Sequence, residues 1–307
     1  MPHLQVRLFG KFRLHVDSQL TKGLDASKEQ ELLSYLLIHR DRHHSREALA
    51  ALLWGDTSTD KSKKYLRQAL WHLQSVLESG GADESRTLLV EHDWLRLNSQ
   101  SHLWSDVGEF ERAFGTVADI PGRQLTSEQA QSLKAAADLY EGDLLSGWYQ
   151  DWCLFERERL QNTYLTILDK LISFSEQHHQ YELAQGYATI ILRYDPARER
   201  AHRQLMHLHY LAGDRTAALR QYESCVNTLR HELGVKPENR TVRLYEKIRR
   251  DELSADDEIV TLEPMENAAS ADVVGRLRQL QLLLSSVQLR IQRDIKALEN
   301  GLRPGRD

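Results

Sequence analysis

The first hundred residues change their hydrophobic spacing twice, and this change limits the possible folds more than any other feature of the chain. Residues 4–20 alternate apolar and polar side chains around a Gly-Lys step, which predicts a β-hairpin with a neighbouring strand. Residues 27–79 instead repeat leucines three and four positions apart, the spacing of amphipathic helices. Residues 87–97 (TLLVEHDWLRL) return to alternation about a His-Asp turn and predict a second hairpin.

Three helices are predicted between the two hairpins. The first runs from Ser27 to about His39, and the second (REALAALLW) follows the candidate N-cap Ser45 and ends at Gly55. The third covers 60–79 and begins only a few residues later. Two helices this close, followed by a β-hairpin, predict a winged helix-turn-helix.

The third helix (DKSKKYLRQALWHLQSVLES) has a basic N-terminal half in front of its leucines. Such a charge run is usually a solvated face, but the second helix of a helix-turn-helix lies in the major groove of DNA. Cations in its N-terminal half would face phosphates, and exposed side chains further along would reach base edges. Residues 1–104 carry 14 Lys/Arg against 13 Asp/Glu. This near-neutral balance also leaves open a scaffold whose winged helix contacts proteins.

From about Ser105 the sequence becomes almost entirely helical. Tyr181-Glu-Leu-Ala is followed 34 residues later by Arg215-Thr-Ala-Ala, and 34 residues is the tetratricopeptide period. Repeats of this kind stack their apolar faces and leave a concave surface for peptides or partner helices. We therefore expect a tetratricopeptide-like helical domain over 105–252.

The C-terminal part is predicted to contain a linker and one more helix. Residues 253–271 are acidic, small and Pro-containing, which is typical of a linker. Residues 272–299 carry apolar side chains at alternating three- and four-residue spacing. This pattern fits equally a marginal coiled coil that dimerises and an amphipathic helix that docks on the repeats.

Composition excludes several other classes. Cys153 and Cys225 are the only cysteines, which fits a reducing compartment. The N-terminus has no continuous apolar stretch, and no segment reaches the ~18–20 apolar residues of a membrane span. Neither Gly-x-Ser-x-Gly nor a P-loop is present, and the fourteen histidines lack metal-ligand spacing. We expect a cytoplasmic, non-enzymatic protein without metal, cofactor or membrane contact, whose histidines lie scattered on the surface.

Several stretches together resemble a known family, the SARP (Streptomyces antibiotic regulatory protein) transcriptional activators. These stretches are LQVRLFGKFRL (4–14), LLWG (52–55), YLRQALWHLQSVL (65–77), GDLLSGWYQDWCLFERERL (142–160) and AALRQYESCVNTLRHELGVKPENRTVRLYEKI (217–248). The resemblance implies an OmpR-type winged helix at 1–104 and a bacterial transcriptional activator domain (BTAD) at 105–252. It covers about 4–250 and not the tail. The expected fold class is mainly α with small β-hairpins: a winged helix-turn-helix, a tetratricopeptide-like all-α domain and a C-terminal helix.

The resemblance also implies partners and positions. Members of the family are activators that bind double-stranded DNA as dimers on direct repeats and contact RNA polymerase. Alignment with the family's recognition helix implies base-facing Lys64, Arg67, Gln68 and Trp71, and phosphate-facing Lys61, Lys63, His72 and Gln74. Arg67 would take a guanine edge and Gln68 an adenine edge, each worth about 1–3 kcal/mol of discrimination.

Three points depart from this pattern or remain open. Trp71 replaces a polar residue and would contact a sugar, contact a thymine methyl, or belong to the core. The wing tip is His92-Asp93, less cationic than usual, although Arg86 or Arg96 would still reach a phosphate. A small anionic effector such as a nucleotide is a further alternative, and its candidate ligands are Arg193, Arg198, Arg200 and Arg203. Those four arginines also fit a solvated helix face, which is the favoured interpretation.

Overall fold

A computed structural model describes residues 4–16, 19–20, 24, 27–77, 87–98, 101 and 103–253. Its strands and helices follow in chain order: β1 (Leu4–Arg7), β2 (Arg13–Val16), β3 (Gln19–Leu20), α1 (Ser27–Ile38), β4 (His44–Ser45), α2 (Arg46–Trp54), α3 (Thr59–Leu77), β5 (Leu88–Val90), β6 (Trp94–Leu97), β7 (Leu103–Ser105), α4 (Asp106–Gly115), α5 (Ser127–Leu139), α6 (Asp151–Gln177), α7 (Tyr181–Tyr194), α8 (Glu199–Leu211), α9 (Arg215–Leu233) and α10 (Asn239–Arg250). None of the helices described combines the length and the apolarity that crossing a bilayer requires.

The first sheet has the strand order β3-β2-β1-β7. The predicted N-terminal hairpin is confirmed, since β1 and β2 pair antiparallel with Leu4 opposite Val16. The turn between them contains Gly10 at φ 80°, a left-handed conformation that glycine adopts without steric cost. On the other side, β1 pairs in parallel with β7, which the sequence pattern does not predict.

The predicted trio of helices and the second hairpin are also present. Ser45 caps α2 by accepting a hydrogen bond from the Ala48 N–H (3.4 Å), as its position before the helix predicts. The hairpin of β5 and β6 gains a third strand because β4 pairs antiparallel with β6. The leucines of α1, α2 and α3 supply much of the buried core of this region.

After β7 the chain is helical from α4 to α9. Helix α6 packs against α7, α7 against α8, and α8 against α9. Two local signals set where helices begin: Thr126 and Gln129 form a capping box at α5, and Asp214 accepts from the Ala217 N–H at α9 (2.8 Å).

The winged-helix region and the helical region form a single compact unit that extends to Pro237. The connector between α5 and α6 (residues 140–150) joins the turn of the first hairpin through its backbone. The Gly10 N–H donates to the Asp143 carbonyl (3.0 Å), and the Leu145 N–H donates to the Leu8 carbonyl (2.8 Å). No compact-unit boundary falls at residue 104, and the division there remains a prediction.

The second compact unit begins at Glu238 and is described to Leu253. It contains α10, in which Arg249 forms an ion pair with Glu246 (2.8 Å). The predicted acidic linker, apart from its first residue, and the predicted helix at 272–299 lie outside the described residues.

Candidate nucleic-acid interface

Helix α3 turns one face to the core and the other to solvent. Leu66, Leu70 and Leu73 are buried against the neighbouring helices. The four positions expected to face bases all lie exposed on the other side: Lys64, Arg67, Gln68 and Trp71. Because they are spaced three and four residues apart, they lie along one line of the helix surface. We call these four residues the exposed stripe.

The positions expected to face phosphates, which are Lys61, Lys63, His72 and Gln74, do not share one environment. Lys61 is exposed and Gln74 is half-buried. Lys63 Nζ lies 2.9 Å from Oε1 of Glu47 on α2, and His72 Nδ1 lies 2.7 Å from Oε2 of Glu29 on α1. Two of the four side chains are therefore already paired with carboxylates of the same region.

The wing tip projects into solvent. His92 is 95% exposed, and its Nδ1 lies 2.8 Å from Oδ1 of Asp93, so the histidine has an acidic neighbour at the tip. Arg96 is half-buried, and its Nε has no hydrogen-bond partner among the described residues. Arg86 lies outside the described residues.

Arg46 is a functional candidate that the sequence pattern does not reveal. Its N–H donates to the Asp93 carbonyl (2.9 Å), and its guanidinium donates to the carbonyls of His92 (3.4 Å) and Glu91 (3.5 Å). Arg46 therefore fixes the wing tip to the start of α2. The local signal is only that an arginine follows the N-cap Ser45, which does not identify a partner 45 residues away.

Comparison with known proteins finds relatives of the helical region and of most of the chain. Residues 105–249 match the family described as Bacterial transcriptional activator domain. The transcriptional regulatory protein MoaR1 of Mycobacterium tuberculosis is 24% identical over 236 residues, which cover 76% of this chain and 75% of MoaR1. The chain is similar to SARP-type transcriptional regulators, and we call it the SARP-like chain. The regulatory protein AfsR of Streptomyces coelicolor is also 24% identical, over 91% of the SARP-like chain but only 27% of AfsR.

A solved structure supports the fold of the SARP-like chain. EmbR of Mycobacterium tuberculosis, solved in complex with a low-affinity phosphopeptide, superposes with a TM-score of 0.63. The match covers 91% of this chain and 71% of the EmbR chain, at 19% sequence identity. It confirms the predicted fold class, which is a mainly helical chain with small strands and a winged-helix N-terminal region.

Two of the four arginines considered for an effector are paired with carboxylates in the SARP-like chain. Arg198 Nη2 lies 2.8 Å from Oδ2 of Asp169, and Arg203 is 5% exposed with Glu199 at 3.9 Å. The expectation that all four fit a solvated face is wrong for Arg203, because neighbouring helices enclose α8. Arg193 is exposed and Arg200 is half-buried. An anion at Arg198 would have to displace the Asp169 carboxylate.

The aromatic connector of the SARP-like chain is part core and part surface. Tyr140 is buried and stacks on Tyr164 with ring centroids 4.2 Å apart. Tyr149, by contrast, is 78% exposed beside an open hollow of about 440 Å³. Arg157 holds the connector in place by donating to the carbonyls of Leu144 (2.9 Å) and Trp148 (2.9 Å).

Three of the described histidines in the SARP-like chain are buried, so the expectation that they lie scattered on the surface is wrong for these three. His44, His202 and His207 are buried. His202 lies within hydrogen-bond distance of the Pro196 carbonyl (2.8 Å), and burial lowers its pKa. Both cysteines are free and buried, and burial raises the pKa of the Cys153 thiol to about 11. Such a thiol is a poor nucleophile.

Proposed function

We propose that the chain is a sequence-specific regulator of transcription that reads double-stranded DNA with helix α3 in the major groove. The observation that supports this most strongly is the exposed stripe, in which two cations, an amide and an indole share the solvent face of the second helix of a helix-turn-helix. Long donor side chains in that position match the hydrogen-bonding groups at base edges in the major groove.

Roles follow from the chemistry of each side chain. Arg67 has the planar pair of donors that fits O6 and N7 of guanine, and Gln68 offers the donor and acceptor that fit adenine. Lys61, exposed at the start of α3, contributes phosphate contact and therefore salt-dependent affinity without sequence preference. Lys63 contributes less, because its ammonium group is paired with Glu47.

The proposed location, regulatory effect, oligomeric state and partner are based on the resemblance to the SARP family. We propose that the protein acts in the cytoplasm as an activator, binds direct repeats as a homodimer and contacts RNA polymerase. The similarity of residues 105–249 to the Bacterial transcriptional activator domain supports the activating role. If helices α6 to α9 stack as tetratricopeptide-like repeats, their concave face would form a binding surface for the polymerase or for an effector.

The test is fluorescence-anisotropy binding to DNA fragments selected from a genomic pool, repeated over a salt series. Arg67→Ala should abolish the preference for the selected sequence, whereas Lys61→Ala should weaken binding to all sequences and reduce the salt slope by about 1. Arg230→Ala, on the exposed face of α9, is the matched control and should change neither quantity. Binding that is equal for every fragment would contradict the proposal and favour the scaffold alternative.

A further inference from the structure

Trp71 is the member of the exposed stripe that cannot be explained by hydrogen bonding to bases. Its side chain is 72% exposed, so the core role considered from the sequence is excluded. Among the described residues its indole has neither a hydrogen-bond partner nor a ring partner. A large aromatic surface in water is unfavourable by roughly 25 cal/mol per Å² of apolar area. A bound partner that covers Trp71 would therefore gain affinity.

The neighbours of Trp71 indicate what that partner is. Arg67 and Gln68 lie one turn before it on the same face of α3, and Lys64 and Lys61 lie further towards the N-terminus. A cationic surface of this kind attracts the phosphates of DNA, not another apolar protein surface. The indole is therefore brought to DNA by the charges that precede it.

The major groove offers one apolar group that differs between bases, the C5-methyl of thymine. Resting on the proposed function, we propose that Trp71 is a specificity-determining residue that selects a thymine by packing its indole against this methyl group. The four-residue step from Arg67 to Trp71 advances about 6 Å along the helix axis, close to two base-pair rises of about 3.4 Å. The thymine accordingly lies within about two base pairs of the guanine read by Arg67.

A sugar contact is the competing explanation, and it makes a different prediction. Deoxyribose is the same at every nucleotide, so packing on a sugar would add affinity without preference for thymine. Replacing thymine by deoxyuridine removes the methyl group and leaves the hydrogen-bonding edge unchanged. This substitution therefore separates the two explanations in a single measurement.

The experiment uses the full chain and its selected DNA site, with each thymine replaced singly by deoxyuridine. Loss of one methyl contact should weaken binding roughly three- to fivefold at one or two positions and leave the others unchanged. Trp71→Ala should bind the thymine duplex about three- to fivefold more weakly than wild type and show no further loss with deoxyuridine. Trp71→Gln provides a second variant, and both should retain the wild-type melting temperature because the side chain is exposed.

Trp94→Ala is the matched control, because Trp94 is also an exposed tryptophan but lies in the wing strand β6. It should keep the full deoxyuridine effect. A wild-type protein that binds its site selectively but tolerates every deoxyuridine overturns this inference and leaves the proposed function standing. A deoxyuridine effect that persists in Trp71→Ala overturns it as well. Absence of selective binding to any DNA overturns both.

Discussion

His72 of helix α3 and Glu29 of helix α1 form a side-chain hydrogen bond, with Nδ1 and Oε2 2.7 Å apart. The carboxylate is largely buried, whereas the imidazole is partly exposed. His72 therefore fixes the orientation of α3 relative to α1, at a position that family alignment assigns to phosphate contact. Because the imidazole of His72 is already bonded to the Glu29 carboxylate, it should bind a DNA phosphate less strongly.

The replacement His72→Ala should act on stability more than on DNA binding. Loss of the contact with Glu29 should lower the free energy of unfolding by roughly 0.5–1 kcal/mol, a modest value because solvent screens the pair. Urea denaturation measures this change. DNA affinity should fall less than in Lys61→Ala, and a larger loss in His72→Ala would show that His72 does contact phosphate.

Glu47 should restrain binding to DNA. Its carboxylate pairs with Lys63 Nζ at 2.9 Å and is itself well exposed. Glu47→Gln removes one negative charge beside the proposed interface and releases Lys63, so affinity for all sequences should rise several-fold at low salt with a steeper salt slope. Glu109→Gln, which removes a partner of Arg112 on α4, is the control and should leave binding unchanged. Equal affinities for Glu47→Gln and wild type would contradict this expectation.

Asp106 should make stability depend on pH. Its carboxylate accepts hydrogen bonds from the backbone N–H groups of Leu8 (2.9 Å), Phe9 (3.0 Å) and Val107 (2.8 Å). Burial nevertheless raises the pKa of Asp106 to about 6, against the lowering effect of those three donors. The folded protein then binds a proton near pH 6 that the unfolded chain binds only near pH 4. From this group alone, the free energy of unfolding rises as pH falls from 7 to 4.

Asp106→Asn isolates that effect. The amide cannot titrate, and its NH₂ group faces backbone donors, so the variant should lose about 1–3 kcal/mol at pH 7. Chemical denaturation at several pH values should show that the gap between wild type and variant widens from pH 7 to pH 5. A gap that is constant or narrows over this range would show that Asp106 keeps an ordinary or lowered pKa.

Trp152 should stabilise the contact between the helical region and the winged-helix region. Its indole N–H donates to Oε1 of Glu31 on α1 at 3.1 Å, and Glu31 is almost fully buried. Trp152→Phe keeps an aromatic ring but leaves that carboxylate oxygen without its donor, so the free energy of unfolding should fall by about 1–2 kcal/mol. Thermal unfolding should still show one transition. Trp94→Phe, in the exposed wing strand, serves as the control and should change stability little.

Much of the fold is predictable from sequence because its signals are local. The helix from Ser27, the Ser45 cap and the alternation at 87–97 each depend on neighbours in the chain, and the elements begin and end within a few residues of prediction. The parallel strand β7 is different. Its three residues acquire a role only by pairing with β1, almost a hundred residues earlier, and no periodicity records that partner.

The candidate site likewise has features that the sequence predicts and contacts that it does not. Exposure of Lys64, Arg67 and Gln68 follows from the leucine spacing of α3, because a helix that buries one face exposes the other. The pairing of Lys63 with Glu47 and the attachment of the wing by Arg46 do not follow, because each joins separate elements. Whether the stripe contacts bases is a prediction that the DNA-binding experiments decide.

The backbone hydrogen bonds from Gly10 to Asp143 and from Leu145 to Leu8 also affect folding during synthesis. A ribosome releases the helix-turn-helix long before it releases residues 143–145, although the first sheet is complete only with β7 and is then joined by the connector. We expect the nascent winged helix to remain loosely packed until the start of α6 has left the exit tunnel. Chains that terminate before residue 143 would keep the contacts of α3 with α1 and α2 but would lack the hydrogen bonds that join the first hairpin to the connector.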